Sequence, residues 1–263
     1  MSRWSLAFDL GPTFVPFFVL GHPTLEDSLE YMESAVAGGA RALELGLPFS
    51  DPVADGPVIQ TAAFEALQAG FRVGAGLDAL ARFRRRHPGV AIGLLVYAQL
   101  VRVRGFSAFY AAIARAGADA CLVADAPVRE ATRFDRAATD AGVDPVHIAP
   151  PNAAQPLLRQ VAETSRSFVY CVCRPGVTGD GTEARLPSDR VRQELRAAGA
   201  PALVAGFGLS TPEHVAGAAA AGFEGAIVGS AIVRQIQNGA RPGSVEGFVR
   251  DCVHAAASAR KGD

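Results

Sequence analysis

The chain has 263 residues, 49% of them hydrophobic, and a formal net charge of −1. That near-neutral balance supplies no field to gather nucleic acid or anionic lipid, and the apolar content is ample for a large core. Length alone allows two domains, but an α/β barrel of about 250 residues is one domain.

Apolar, strand-like segments and helix-like segments alternate from end to end. The strand candidates are 13–20, 42–45, 91–97, 120–124, 143–149, 168–172, 202–205 and 225–228. Several are continuously apolar, as expected for strands covered on both faces. Helical patterns fall at 25–37 behind the N-cap candidate Thr24, then at 63–69, 77–86, 108–115, 130–141, 157–163, 190–198, 213–220 and 245–259. Gly38, Gly70, Gly117, Gly142, Gly199 and Gly222 follow helices as left-handed C-caps. The basic run from Arg82 to His87 ends one helix and reads as a solvated last turn favoured by the helix dipole. Right-handed crossovers are the default between parallel strands, and eight such units close best as a single (β/α)8 TIM barrel with extra helices spanning 1–263. A doubly wound open sheet is the alternative. It needs a glycine fingerprint after the first strand, and Leu20-Gly21-His22-Pro23 is not one.

Four cysteines, Cys121, Cys171, Cys173 and Cys252, include no C-x-x-C pair. Packed, reduced thiols are expected, and a metal site is not. The apolar segment 14–20 is short, contains Pro16 and lacks a charged lead, unlike a signal peptide. The Ala/Gly-rich stretch 215–233 is interrupted by Glu224 and glycines, so it divides into helix, turn, strand and helix. These readings point to a soluble, cytoplasmic protein.

Barrel enzymes work at the C-terminal ends of their strands. The longest strand-to-helix loops, 46–59 and 174–187, follow strands two and six, and loops of that length serve as lids or binding segments. In strand two, alternation turns Leu43 and Leu45 outward and Glu44 inward. An ionised carboxylate inside an apolar strand costs several kcal/mol unless it is paired. Such a group is either a salt-bridged core residue or a proton-transfer group whose pKa burial has raised. Asp55 lies on the loop above the same strand and can converge with Glu44 on one ligand. Asp51, before Pro52, reads as a turn residue or a partner contact.

After strand seven comes Gly206-Phe207-Gly208-Leu209-Ser210, and after strand eight Gly229-Ser230-Ala231. Each pair of glycines with a hydroxyl at a helix start lets backbone N–H groups approach a phosphate. Gly179 in the sixth loop adds another amide. No strong basic residue is obvious beside these glycines, so recognition rests on backbone dipoles. The interior offers Phe17, Leu95, Tyr97, Leu122, Ile148, Tyr170 and Phe207, as core or as the wall around a flat apolar ligand. His22 is a mouth residue without an assigned role, and His147 faces a helix.

The run at 43–57 (LELGLPFSDPVADGP) resembles the alpha subunit of tryptophan synthase. The likeness continues at 92–98 (IGLLVYA), 121–127 (CLVADAP), 149–152 (APPN), 174–179 (RPGVTG), 206–208 (GFG) and 229–233 (GSAIV), nearly the whole chain in order. The resemblance implies cofactor-free retro-aldol cleavage of indole-3-glycerol phosphate to indole and glyceraldehyde 3-phosphate. It makes Glu44 the general acid/base and gives Asp55 the indole N–H. Tyr170 then positions the reacting side chain, while Phe17, Leu95, Leu122, Ile148 and Phe207 pack the indole. Gly179, Gly208, Gly229 and Ser230 hold the phosphate, and Thr178 closes the site over Asp55. The implied partner is a beta subunit, as an alpha2beta2 assembly, with pyridoxal phosphate on the beta subunit alone. Asp51, Pro52, Gln99 and Pro127 match partner-facing positions. The chain departs from the family pattern at His22, where Asp is common, at Gln99, where Asn is usual, and at Pro175. A stand-alone lyase and a non-catalytic activating subunit are the alternatives, and intact Glu44 and Asp55 argue against the second.

Overall fold

The computed structural model describes residues 2–175 and 184–259. Eight parallel strands close into a barrel: Thr13–Val19, Ala42–Gly46, Ala91–Val96, Ala120–Val123, Asp144–Ala149, Phe168–Val172, Ala202–Gly206 and Gly225–Val228. Each pairs with its successor, and the first closes on the eighth with Thr13 opposite Gly225. That closure is the expected barrel and rules out the open sheet. A two-residue antiparallel pairing, Arg174 with Arg185 and Pro175 with Ala184, brings the flanks of the sixth loop together.

Strand alternation divides the core into two shells. Phe17, Leu95, Tyr97, Leu122, Tyr170, Val204 and Ile227 fill the barrel interior. Leu43, Leu45, Leu94, Cys121, Cys171 and Leu203 face outward into an apolar layer shared with Met32, Leu80, Phe109 and Leu158 of the helices. Cover on both faces explains the unbroken apolar runs of the strands. All four cysteines are buried and free.

Ser230–Gln237 is the helix that closes the 215–233 stretch, as its division indicates. Two helices are not revealed by the sequence pattern, Arg3–Asp9 and Ala98–Arg104. Each is short, so its apolar periodicity spans too few turns to stand out. The helix expected at 63–69 begins earlier, as Pro57–Gln68, with Pro57 at its first position, where the missing N–H costs nothing. Thr24 caps Leu25–Ala37, its hydroxyl accepting from the Asp27 N–H at 3.2 Å. Gly70, Gly117, Gly142, Gly199 and Gly222 all adopt positive φ, as C-capping requires. Gly38 does not. Its φ is −72°, and Gly39 takes the left-handed turn at 98°. Gly38 is needed for close packing instead: a Cβ there would meet the Glu246 carbonyl of helix Pro242–Ser258 at 2.7 Å.

The basic run forms the last turn of helix Val73–Arg86, with Arg82, Arg85 and Arg86 exposed, and Arg84 is its exception. Arg84 bridges helix and barrel, bonding the Gly117 carbonyl at 2.7 Å and Asp119 at 2.8 Å. Arg82 pairs with Glu26 at 2.6 Å, and Arg86 with Glu33 at 2.8 Å. The Arg82 and Arg86 pairs lie at the surface, as a solvated turn allows, whereas Arg84 is tied down. Among the described residues, no helix is long and apolar enough to cross a membrane.

The N-terminal helix plugs the barrel floor. Ser2 caps it, accepting from the Ser5 N–H at 3.1 Å. Trp4 is fully buried, with its ring 4.7 Å from that of Phe168 and 5.7 Å from that of Phe8. Gly93 in strand three makes room, since a Cβ there would lie 3.1 Å from the Trp4 ring. Replacing a buried Trp by Ala typically costs about 3–5 kcal/mol through lost contacts and an unfilled cavity. Trp4→Ala is therefore expected to lose about that much stability, read as a lower urea midpoint, while substrate KM stays unchanged because the mouth is at the opposite end. A wild-type midpoint would refute the plug.

Candidate active site

A cavity of about 730 Å³ opens at the C-terminal ends of the strands, a size that suits a small-molecule ligand. Glu44, Asp55, Phe17, Leu95, Ile148, Tyr170 and Phe207 line it together with Gly208, Gly229 and Ser230. Candidates from strands one, two, three, five, six, seven and eight thus meet in one space. Leu122 does not join them. It is buried in the barrel interior, paired in register with Leu95 and Val146, and is not part of the cavity lining. Thr178 and Gly179 lie outside the described residues.

Glu44 is 2% exposed, and its Oε2 has no hydrogen-bond partner among the described residues. No cation pairs with it there either, so the salt-bridged reading finds no partner. Burial, reinforced by the nearby Asp55 charge, pushes its pKa up to about 8. At neutral pH the carboxyl is therefore mainly protonated, a proton donor held in an apolar wall.

Asp55 is held differently. The Tyr97 hydroxyl donates to Asp55 Oδ2 at 2.8 Å and accepts from the Ala54 N–H at 3.1 Å. Phe49 stacks on the Tyr97 ring at 5.2 Å. The Asp55 main chain also forms a turn, its N–H donating to Pro52 O at 3.0 Å and its carbonyl accepting from Gln60 at 2.9 Å. Burial raises the Asp55 pKa, and the Tyr97 hydrogen bond opposes that rise. One residue serves as both turn and ligand-facing acid. Tyr97, read from sequence as one more interior aromatic, is what fixes the carboxylate.

Glycines shape the apolar wall. A Cβ on Gly206 would lie 2.4 Å from the Tyr170 hydroxyl, and one on Gly46 would lie 2.7 Å from the Phe17 ring. The Tyr170 and Phe207 rings pack at 5.1 Å. Phe207 has φ 57°, the one non-glycine residue with positive φ among the described residues, and Gly208 follows at 104°. A bulky residue in the left-handed region is strained, and such strain concentrates at functional sites. Here two left-handed residues in succession turn the strand-seven end across the cavity.

At the glycine end, Ser230 begins helix Ser230–Gln237, so the first turn of that helix borders the cavity. Ser210, Ala231 and Arg234 also line it. Arg234 corrects the expectation that no basic side chain stands near these glycines. It lies four residues beyond Ser230, on the same helix face and one turn past the glycine motif. His22 is buried against Glu65, Nε2 to Oε2 2.8 Å, away from the cavity lining. His147 faces helix Thr132–Asp140 and meets Asp135 at 3.2 Å, as alternation indicates.

Asp51, Gln99 and Pro127 are exposed and Pro52 is half-buried, on the loops or helix start after strands two, three and four. These strands are neighbours, so the four residues occupy one sector of the rim. Val53 and Val103, 78% and 74% exposed, add apolar surface on the same loop and helix.

A raised acid pKa links Glu44 to stability. The folded state binds this proton more tightly than the unfolded chain, so the contribution is fully present below the ordinary pKa of 4.5 and is lost as pH rises toward about 8. A difference in proton affinity of that size is worth on the order of a few kcal/mol. Glu44→Gln, which cannot ionise, is expected to flatten the decline of urea-unfolding free energy between those two pH values. An identical pH slope in variant and wild type would show that Glu44 is not a buried neutral acid.

Comparison with known proteins adds to this geometry. The family model described as tryptophan synthase alpha chain matches residues 9–256. The tryptophan synthase alpha chain of Citrobacter koseri is 47% identical over 233 residues, 88% of this chain and 87% of that one. The alpha chain of Aeromonas salmonicida is 49% identical over 224 residues, 85% of this chain and 84% of that one. Among solved structures, a tryptophan synthase of Mycobacterium tuberculosis superimposes with TM-score 0.86 at 26% identity, covering 97% of this chain and 98% of that chain.

Proposed function

The chain belongs to the tryptophan synthase alpha chain family, and we propose that its own cavity residues carry the family's reaction as follows. The protein is a lyase that cleaves indole-3-glycerol phosphate to indole and glyceraldehyde 3-phosphate, in the last stage of tryptophan biosynthesis. The family needs no cofactor of its own for this reaction.

Glu44 gives its proton to indole C3. The ring becomes cationic, and Asp55 accepts a hydrogen bond from the indole N–H and offsets the charge developing there. The Glu44 carboxylate then takes the proton of the C3′ hydroxyl. The C3–C3′ bond breaks, its electron pair restoring the aromatic ring, and C3′ becomes the aldehyde carbon. Glu44 ends protonated, ready for another turnover. Tyr170 orients the glycerol chain, and Phe17, Leu95, Ile148 and Phe207 clasp the indole. Gly208, Gly229 and Ser230, with Gly179 from the sixth loop, hold the phosphate through N–H groups and a hydroxyl. The observation that carries this assignment is the buried, unpartnered Glu44 sharing one cavity with a glycine-lined helix start.

The beta subunit of tryptophan synthase is the proposed partner, in an alpha2beta2 assembly where pyridoxal phosphate resides on beta alone. Asp51, Pro52, Gln99 and Pro127 face it in this reading, which the exposed Val53 and Val103 support. The chain acts as a single barrel domain in the cytoplasm.

General acid–base groups typically contribute about 10²–10⁴-fold to a rate. Glu44→Gln is expected to cut indole release by about that factor while still binding glycerol 3-phosphate; near-normal turnover would remove Glu44 from the proton path. A second assay compares indole release with and without a beta subunit. A several-fold gain is expected on mixing. High, unaltered activity without beta would favour a stand-alone lyase, and no indole under either condition would favour a non-catalytic activator.

A further inference from the structure

We propose that Arg234 supplies the positive charge that recognises the substrate's phosphate; the inference rests on the phosphate end assigned above. Arg234 and Ser230 both line the cavity, and they stand one helical turn apart on Ser230–Gln237. Arg234 is the one cationic side chain among the described lining residues, and its guanidinium forms no ion pair among the described residues. The other charged groups of the lining, Glu44 and Asp55, are acids.

A phosphate monoester carries about −1.5 to −2 charges at neutral pH. Backbone amides and a serine hydroxyl supply direction but no net charge, whereas a guanidinium supplies charge and a donor fork that fits phosphate oxygens. The side chain is long and solvent-exposed, so it can reach the mouth from the second turn without a desolvation cost. Arg234 therefore sets affinity for the phosphate-bearing substrate and takes no part in moving protons. It also gives the cavity polarity: acids beside the indole, a cation beside the phosphate. A substrate bound backwards would bring its phosphate dianion beside Asp55 and leave the guanidinium facing an apolar ring.

The test is equilibrium binding of glycerol 3-phosphate to the intact chain, with steady-state kinetics on indole-3-glycerol phosphate. Arg234→Gln is expected to weaken glycerol 3-phosphate binding about tenfold at low ionic strength, equal to about 1.4 kcal/mol, and less at high salt. KM is expected to rise by a similar factor with kcat changed less than about twofold, the pattern of uniform binding lost. Arg234→Lys recovers most of the affinity, whereas a purely structural role would not follow charge. Unaltered binding by Arg234→Gln would overturn the proposal and leave the phosphate end intact. So would an equal loss of affinity for the phosphate-free indole-3-glycerol. Failure of the wild-type chain to bind glycerol 3-phosphate would overturn the phosphate-end assignment and this proposal together.

Discussion

A carboxyl group held in an apolar wall without a counter-ion is the constraint from which the rest of this molecule follows. Glu44 is sealed by its neighbours, and one of its oxygens has no hydrogen-bond partner among the described residues. Leaving such a group unsatisfied costs free energy, so its persistence calls for a compensating use. Protonation lowers the cost by removing the charge, and in the proposed mechanism that same proton is lent to the substrate and returned. The apolar surroundings of Glu44 are thus part of the reagent. A polar neighbour that satisfied Oε2 would stabilise the fold and spoil the acid.

Burial raises the proton affinity of both carboxyls of the cavity, but against different neighbours. At Glu44 the Asp55 charge reinforces burial. Asp55 has burial opposed by a phenol hydroxyl at 2.8 Å, which favours the ionised form. One cavity thereby holds two acids whose proton affinities are set in different ways. Small residues make this possible by letting large rings take fixed places. Phe17 leans over Gly46 and Gly229, and Tyr170 over Gly206. At the opposite end Trp4 leans over Gly93 in the same manner. The barrel floor is filled by a plug and the mouth is left hollow, so the cavity exists where the strands deliver their C-terminal ends.

Much of this was legible in the sequence because period-two alternation assigns faces without tertiary knowledge. Glu44 inward, Leu43 and Leu45 outward, and His147 toward a helix all follow from it. What stayed hidden depended on contacts between distant segments. Helix Arg3–Asp9 carries too few residues to display a period, and its reason for folding is the interior of a barrel formed later in the chain. Gly38 and Gly39 are adjacent, and only the approach of Glu246 decides which must be packed and which must turn. Leu122 faces inward as expected, but pattern does not show that it stays out of the cavity lining. Arg84 sits in a run of like charges and differs from its neighbours only through Gly117 and Asp119, over thirty residues away. Arg234 escaped because it lies one turn beyond the glycine motif.

The rim sector proposed for the partner is joined to the catalytic end by short, ordered links. Asp125 accepts from the Ala98 N–H at 2.6 Å, tying the loop after strand four to the helix after strand three. Ala98 follows Tyr97, whose hydroxyl holds both Asp55 and the Ala54 N–H of the loop after strand two. Within that loop, the Val53 N–H donates to Asp51 O at 2.9 Å and the Asp55 N–H to Pro52 O at 3.0 Å. Three adjacent loops are thus stitched into one surface, with Asp55 at its inner edge and Asp51, Pro52, Gln99 and Pro127 along its outer one. The barrel beneath cannot yield, because its strands are packed on both faces. A packed barrel under a stitched rim makes Asp55 the inner end of a hydrogen-bonded path from the outer edge, and in the proposed mechanism that inner end faces the ring cation.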